Sequence, residues 1–324
     1  MRTLEIENLR IEFPGRRGML LAIDDVSLYI DKGEILGVVG ESGAGKSLTG
    51  ASLVGLLEPP GRVTGGRILL NGRDITNLPD DKMREIRGGD IGTIFQDPLT
   101  SLDPLHTVGS QLIETIRTHT GVSRSAARRR AAELLRMVGI PAVESRLDSY
   151  PHQFSGGMRQ RVVIALALAC EPSLIVADEP TTALDVSVQS QIISLLKDLC
   201  READVAIMLI THDMGVIAEA ADRVCVMYSG RVVETGRVRD VLDNPLHPYA
   251  QGLIGSIPVI GGNRERLTSI EGAMPRLDSR PSGCAFHPRC KKAFEDCLVK
   301  QPQLTAVASG RSAACLLLEG EHAL

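Results

Sequence analysis

The feature that most constrains this chain is a glycine-rich segment that follows a short apolar run. Residues 34–39 are mainly apolar, and residues 40–47 match the pattern G-x-x-x-x-G-K-[ST]. The glycines let backbone N–H groups turn toward the phosphates of a nucleotide, and the positive end of the following helix favours the anion. The sequence therefore predicts a strand–loop–helix unit that binds phosphate inside an α/β fold. The loop alone does not separate a kinase from a GTPase or an ATPase.

The positions of this phosphate loop (residues 40–47) have separate predicted roles. Lys46 reaches the β- and γ-phosphate oxygens, and the Ser47 hydroxyl is a Mg²⁺ ligand. The backbone N–H groups face the α- and β-phosphates. The predicted nucleotide-binding residues are Gly40, Ser42, Gly43, Ala44, Gly45, Lys46, Ser47 and Leu48.

Composition sets the broad class of the protein. With 324 residues, 43% of them hydrophobic, the chain can bury one large core and still form a second, smaller module. A formal net charge of −4 gives no overall attraction to nucleic acid. No apolar run approaches the roughly 20 residues that span a bilayer, and the first residues lack the pattern of a secretory signal. We therefore expect a soluble protein of the cytosol, without a disulfide framework among its cysteines.

The first half of the chain predicts strands followed by helices. Alternating apolar residues at 4–11 and 26–30 predict strands of an antiparallel flank, and Asn71-Gly72 predicts a hairpin turn. The spacing of apolar residues over 47–57 favours a helix that ends before the prolines at 59 and 60. Residues 102–169 have mainly helical patterns, with Ser123 as a helix N-cap and Gly139 as a helix end, which indicates an inserted helical subdomain.

The second half predicts a buried parallel sheet. Residues 173–177 and 205–210 are continuous apolar runs of strand length, separated by a helical pattern over 188–200. Near residues 250–260 the periodicity weakens while Gly, Pro and Cys increase, which marks a domain boundary. The fold class is therefore α/β.

Polar side chains follow three of the predicted strands. Gln96 follows the strand at 90–95, Asp178 and Glu179 follow the next, and His212 follows the third. Open α/β sheets bind ligands at the carboxyl ends of their strands. We expect Asp178 to hold Mg²⁺ and Glu179 to accept a proton from the attacking water. His212 would hydrogen-bond the γ-phosphate or that water, and Gln96 would serve the same site as a catalytic residue and Mg²⁺ ligand.

A second anion site is predicted where a helix begins. Ser155, Gly156 and Gly157 precede the apolar helix at 162–169, and small residues at a helix start expose backbone N–H groups to an anion. A chain with this element and a separate phosphate loop carries two half-sites. Two copies arranged head to tail would complete each other.

Taken together, the motifs resemble the ATP-binding subunits of ABC transporters over about residues 4–245. Their order is the phosphate loop, Gln96, residues 155–157, residues 175–179, residues 183–185 and His212. The resemblance implies that residues 155–157 bind the γ-phosphate of an ATP held by a partner subunit, and that Gln96 and the following segment contact membrane subunits. It also implies that Asp185 communicates across the ATP interface and that Phe13 stacks on adenine. Phe154 and Met158 replace the Leu and Gln usual in this family.

Three further segments resemble the dipeptide/oligopeptide importer branch of the family, namely residues 96–104, 150–153 and 244–249. This resemblance implies an ATP- and Mg²⁺-dependent ATPase that drives peptide uptake at the cytoplasmic face of the inner membrane as a peripheral protein. Its partners would be a second homologous ATPase subunit, two membrane permeases and, indirectly, a solute-binding protein. Nickel, glutathione or another small cargo remains an alternative. A soluble ABC protein acting on ribosomes or DNA is a further one, against which the acidic net charge argues.

The C-terminal residues carry a possible metal site. Cys284, Cys290, Cys297 and Cys315 lie in a stretch that contains Gly and Pro, with too few apolar residues for a core of its own. Such thiolates can hold either zinc or an iron–sulfur cluster. The resemblance to the dipeptide-importer ATPases implies a 4Fe–4S cluster, with zinc as the alternative. His287 lies within the same segment but is not needed in a site that four cysteines close.

These patterns predict two domains. Residues 1–254 would form an ABC-type nucleotide-binding domain with a P-loop parallel sheet core, an antiparallel β flank and a helical subdomain at about 102–169. Residues 255–324 would form a small Cys-rich C-terminal module.

Overall fold

A computed structural model describes residues 1–16, 18–182, 184–256, 270–308 and 310–319. The chain divides into two compact units. The first unit contains Met1–Leu4, Ile30–Ile35 and Asn77–Ile210, and the second contains Glu5–Tyr29, Leu36–Thr76 and Thr211–Leu324. The predicted domain boundary at residue 254 does not coincide with a boundary between these units. It stays a prediction.

The described ranges contain the following regular elements. The strands are β1 (Arg2–Gly15), β2 (Gly18–Asp31), β3 (Ile35–Val39), β4 (Arg62–Leu70), β5 (Arg73–Asp74), β6 (Ile91–Ile94), β7 (Leu174–Asp178), β8 (Ala206–Thr211), β9 (Arg223–Tyr228), β10 (Arg231–Arg237), β11 (Thr305–Ala308) and β12 (Arg311–Ala313). The helices are α1 (Lys46–Leu53), α2 (Asp80–Ile86), α3 (Pro98–Ser101), α4 (Val108–Thr120), α5 (Arg124–Met137), α6 (Val143–Arg146), α7 (Gly156–Ala167), α8 (Val186–Glu202), α9 (Met214–Ala220), α10 (Val238–Asp243), α11 (Pro248–Gly255) and α12 (Glu295–Val299).

The first unit combines a parallel sheet with helices. Strands β8, β7 and β6 lie side by side in that order, and both pairings are parallel. Their side chains are almost all buried, which agrees with the continuous apolar runs in the sequence. Helix α7 packs so closely on β6 that a Cβ atom at Gly92 would overlap the carbonyl oxygen of Ala167. The parallel register of β6 and β7 brings their carboxyl ends to one edge of the unit.

The second unit contains two groups of strands. Strands β2, β1, β4 and β5 form a four-stranded sheet, in which β4 and β5 pair as the predicted hairpin. Strands β11, β12, β10, β9 and β3 are neighbours in that order, and β3 and β9 are parallel whereas the other pairings are antiparallel. The phosphate loop follows β3 in this unit, as the sequence predicts.

Most local predictions are confirmed, and one is wrong. Ser123 accepts a hydrogen bond from the backbone N–H of Ala126 at 3.3 Å, and Gly139 adopts a φ of 74° just after α5. Helix α1, by contrast, ends at Leu53 rather than at residue 57. Gly55 has a φ of 60°, a left-handed conformation that glycine adopts readily and that ends the helix before the two prolines.

None of the described helices is long and apolar enough to cross a membrane.

Candidate nucleotide site

The phosphate loop has a conformation that its glycines make possible. Gly40 and Gly45 have φ values of 157° and 103°. A Cβ atom at Gly40 would overlap the backbone oxygen of Met227, and one at Gly45 would lie 2.5 Å from Cδ1 of Ile23. Both positions therefore need glycine for its backbone freedom and for the close approach of neighbouring atoms.

Lys46 is held inside this loop. Its side chain is only 6% exposed, and its Nζ donates to the backbone oxygens of Gly40 at 2.7 Å and Glu41 at 3.1 Å. Ser42, Gly43 and Ser47 are exposed, whereas Ala44 is buried. The loop thus surrounds a buried ammonium group and leaves its outer face open to an anion.

A second group of predicted residues lies at the carboxyl end of β6 and β7 in the first unit. Gln96 Nε2 donates a hydrogen bond to Glu179 Oε2 at 2.9 Å, and the Thr182 hydroxyl donates to the same oxygen at 2.9 Å. The register that pairs Ile94 with Ala177 places Gln96 and Asp178 at the same edge. The structure therefore brings together Gln96, Asp178 and Glu179, which the sequence places at strand ends, and it adds Thr182, which the sequence did not indicate. The catalytic and Mg²⁺-binding roles of these residues stay predictions.

The backbone of Glu179 is unusual for a residue with a side chain. Its φ is 49°, and its N–H donates to the backbone oxygen of Ile210 at 2.8 Å. A left-handed conformation outside glycine is costly and concentrates at functional positions. This conformation, together with the two side-chain donors, fixes where the Glu179 carboxylate lies.

Residues 155–157 begin α7 in the same unit. Ser155 is the N-cap residue, and its hydroxyl accepts a hydrogen bond from the Met158 N–H at 3.4 Å. A Cβ atom at Gly157 would lie 2.6 Å from Cγ1 of Val188, so that glycine permits close packing of α7 on the start of α8. Asp185 caps α8 by accepting from Val188 N–H at 3.0 Å. This hydrogen bond, followed by one from Ser187, lowers the pKa of Asp185.

The remaining predicted site residues are placed in the second unit. His212 is exposed directly after β8, and Phe13 is partly exposed on β1 with its ring against Gly61. Ala183, which belongs to the predicted motif at 183–185, lies outside the described residues. Residues 257–269, 309 and 320–324 of the predicted C-terminal module lie outside them as well.

The four C-terminal cysteines line a single cavity, together with His247, Phe286 and His287. Burial raises the pKa of the Cys315 thiol to about 11, and the three other thiols add to the rise. Burial also raises the pKa of Cys284 and Cys290. Within the described ranges, however, no group of three or more His, Cys, Asp or Glu residues is arranged to hold a metal ion. Neither the predicted 4Fe–4S cluster nor zinc is therefore shown.

The separate Cys-rich module predicted for residues 255–324 is not shown either. The described part of this stretch belongs to the same compact unit as the phosphate loop. The reason is packing. Strand β12 pairs with β10, and the ring of Phe286 lies 5.1 Å from that of Tyr228 and 5.4 Å from that of Tyr249.

Sequence reasoning missed two residues that hold the phosphate loop from outside, Arg289 and Tyr249, and the loop residue that they contact, Glu41. Glu41 forms an ion pair with Arg289, at 2.8 Å between Oε2 and Nη1. Its backbone N–H donates to the Tyr249 hydroxyl at 2.8 Å. Glu41 occupies a variable position of the loop pattern, and no pattern in the sequence connects it to a partner 248 residues away.

The conformation of the phosphate loop around Lys46 defines a nucleotide-binding protein of the P-loop class. A family model described as ABC transporter matches residues 23–182, and one described as Oligopeptide/dipeptide transporter, C-terminal region, matches residues 233–297. Among solved structures, the dimeric post-hydrolysis state of the ATP-binding cassette MJ0796 bound to ADP and phosphate is similar, with a TM-score of 0.65 and 31% identity. That match covers 73% of this chain and 99% of the other.

Curated relatives match along nearly the whole chain. The oligopeptide transport ATP-binding protein AppD of Bacillus subtilis is 48% identical over 99% of this chain and 98% of its own length. The dipeptide transport ATP-binding protein DppD of Escherichia coli is 45% identical over 97% of this chain and 96% of its own. The chain therefore belongs to the family of oligopeptide and dipeptide ABC transporter ATP-binding proteins, and it is an ABC-type ATPase.

Proposed function

We propose that this chain hydrolyses ATP to drive the uptake of di- or oligopeptides through a membrane ABC importer. Relatives that match over nearly their full length carry names of oligopeptide and dipeptide transport ATP-binding proteins. The observation that carries the catalytic part of the proposal is the Glu179 carboxylate, which Gln96 and Thr182 hold at the carboxyl end of β7.

In this proposal Glu179 acts as general base. Its carboxylate accepts the proton of the attacking water, and the amide of Gln96 keeps that carboxylate in place. When ATP binds, the Lys46 ammonium group exchanges its hydrogen bonds to the backbone oxygens of Gly40 and Glu41 for contacts with the β- and γ-phosphate oxygens. Its positive charge there offsets the negative charge that develops during phosphoryl transfer. His212 contacts the γ-phosphate or the water, and Phe13 stacks on adenine.

The chemistry of three side chains fits Mg²⁺. The Ser47 hydroxyl in the first turn of α1, the Gln96 amide oxygen after β6 and the Asp178 carboxylate at the end of β7 are oxygen ligands, which Mg²⁺ prefers. Bound Mg²⁺ would neutralise phosphate charge during transfer.

We further propose that a second homologous ATPase subunit completes each ATP site. Ser155, Gly156 and Gly157 would bind the γ-phosphate held by that subunit, and Asp185 would take part in communication across the interface. Ser155 is exposed and bonded only weakly to its own helix, at 3.4 Å, which supports a role toward another molecule. The related cassette MJ0796 has been solved as a dimer.

Two permeases, and indirectly a solute-binding protein, would complete the transporter at the cytoplasmic face of the inner membrane. Large apolar side chains after β6 support contact with membrane subunits. Phe95, Leu99 and Leu105 are 47%, 61% and 81% exposed. The permeases and the solute-binding protein would then determine whether the cargo is a peptide, nickel, glutathione or another small molecule.

For the cysteines we propose a 4Fe–4S cluster rather than zinc. All four thiols line one cavity, yet they are not arranged around a single ion. Four cysteine thiolates are the ligand set that a 4Fe–4S cluster requires, and their shared cavity supports a common group. Bound there, the group would supply four metal–thiolate bonds that stabilise the C-terminal fold.

Anaerobic purification tests the cluster. We expect a brown protein with iron and sulfide in equal amounts and visible absorption that dithionite bleaches. Cys290→Ser should remove the colour, whereas Cys170→Ser, a cysteine outside the cavity, should keep it. A colourless wild-type protein with stoichiometric zinc would refute the assignment.

Glu179→Gln tests the catalytic proposal. The amide keeps the shape of the side chain but cannot take a proton, so hydrolysis should fall by roughly 10²–10⁴-fold while ATP still binds. The matched control is Glu144→Gln, which removes an exposed carboxylate paired with Arg136 and should leave hydrolysis unchanged. Phosphate release and equilibrium ATP binding give the two readouts. Normal turnover in Glu179→Gln would remove this residue from its role.

Reconstitution tests the transport function. The chain should copurify with two permeases and a second ATPase subunit, and peptide uptake into vesicles should depend on ATP. Stable copurification with ribosomes or DNA and no permease would favour the soluble ABC alternative.

A further inference from the structure

Arg289 connects the cysteine segment (residues 284–297, which holds Cys284, Cys290 and Cys297) to the phosphate loop. It directly precedes Cys290 in the sequence. Its guanidinium donates to both carboxylate oxygens of Glu41, from Nη1 to Oε2 at 2.8 Å and from Nη2 to Oε1 at 3.1 Å. The Arg289 side chain is only 7% exposed and that of Glu41 28%. A bidentate pair shielded from water in this way is stronger and more directional than a surface ion pair.

The other N–H groups of Arg289 are also used. Nε donates to the backbone oxygen of Glu271 at 2.9 Å, Nη2 to that of Gly272 at 3.3 Å, and Nη1 to the Tyr228 hydroxyl at 3.4 Å. Every donor of the planar guanidinium thus has an acceptor. A lysine could supply the charge but not this fixed fork of donors.

Glu41 also contacts Lys46, the residue predicted to bind phosphate. The backbone oxygen of Glu41 accepts from Lys46 Nζ at 3.1 Å, and its N–H donates to the Tyr249 hydroxyl at 2.8 Å. Phe286, also in the cysteine segment, packs on the ring of Tyr249. The conformation of the loop around Lys46 therefore depends on contacts that come from the cysteine segment.

We propose that Arg289 is a positioning residue for nucleotide binding, which holds the phosphate loop through Glu41 and couples it to the cysteine segment. Because coupling between two sites is reciprocal, nucleotide binding also orders the cysteine segment. The inference rests on ATP binding at the phosphate loop. It requires neither a particular cargo nor a particular metal at the cysteines.

The test compares Arg289→Gln, Arg289→Lys, Glu41→Gln and the double variant Glu41→Gln/Arg289→Gln in the full-length protein. Arg289→Gln should raise the KM and the Kd for ATP roughly tenfold, with kcat changed less than about twofold. Arg289→Lys should recover part of the affinity. Glu41→Gln should weaken binding to a similar degree, and the double variant should be no weaker than either single variant, since both changes break one contact. The control Arg67→Gln breaks an exposed pair with Glu7 and should bind ATP normally.

A second readout separates positioning from a structural role. In the wild type, ATP should slow amide hydrogen exchange of residues 284–297, and in Arg289→Gln this protection should be lost. A variant with lower thermal stability but unchanged KM and intact protection would overturn the inference, as would additive effects in the double variant. A wild-type protein that binds no ATP would instead refute the proposed function.

Discussion

The phosphate loop of the second unit and the start of α7 in the first unit are both helix N-termini with glycines. They differ in burial and in the number of contacts that fix them. The phosphate loop encloses the buried Lys46 and is fixed from outside by Tyr249 and Arg289. The start of α7 offers an exposed Ser155 and two glycines. The difference is what we expect if the loop binds phosphate by itself and the start of α7, as proposed above, acts on a nucleotide that another subunit holds.

The largest effect is expected at the phosphate loop. Lys46→Ala removes the only side-chain charge that the loop offers to phosphate, so ATP binding should weaken and hydrolysis should fall by roughly 10²–10³-fold. Lys82→Ala is the control, because Lys82 forms an exposed pair with Glu85. Nucleotide titration and phosphate release measure both quantities. Wild-type affinity in Lys46→Ala would show that the loop is not the primary phosphate site.

Ser155→Arg should distinguish the role of the start of α7 from that of the phosphate loop. A bulky cation at the start of α7 should reduce hydrolysis by roughly 10²-fold, while the isolated chain keeps wild-type affinity for ATP. Ser123→Arg changes an equivalent N-cap on α5 and serves as the control for helix stability. If Ser155→Arg lost ATP affinity in the isolated chain, the two elements would not be functionally distinct.

A smaller, purely structural effect is expected at Gly157. Gly157→Ala places a Cβ atom 2.6 Å from Val188, and this overpacking should lower stability by about 1–3 kcal/mol. Gly156→Ala is a matched control one residue away, since its Cβ atom would come no closer than 3.8 Å to Leu184. Thermal unfolding measures the difference. Equal stability of the two variants would mean that α7 does not pack on α8 as described.

Much of the site could be predicted because its signals are local. The phosphate loop is a contiguous pattern after a strand, and Gln96, Asp178 and Glu179 each follow an apolar run whose direction fixes the edge. The early end of α1 could not be predicted with the same certainty, since Gly55 and the two prolines are competing helix terminators.

Contacts distant in sequence escaped prediction. The pair of Glu41 and Arg289 depends on how β9, α11 and the cysteine segment pack, and no periodicity encodes it. The cysteines were identifiable as a set, but the spacing did not reveal that they share the unit of the phosphate loop. Thr182 likewise becomes recognisable only once the turn after Glu179 is known.

The central claim is that each ATP site is shared between two ATPase subunits, and mixing two inactive variants tests it most directly. Lys46→Ala retains the start of α7, and Ser155→Arg retains the phosphate loop, so a mixed pair contains one intact site. We predict that the mixture hydrolyses ATP faster than the sum of the separate variants and that the wild-type rate per chain rises with protein concentration. A wild-type rate independent of concentration, with no gain on mixing, would contradict the account.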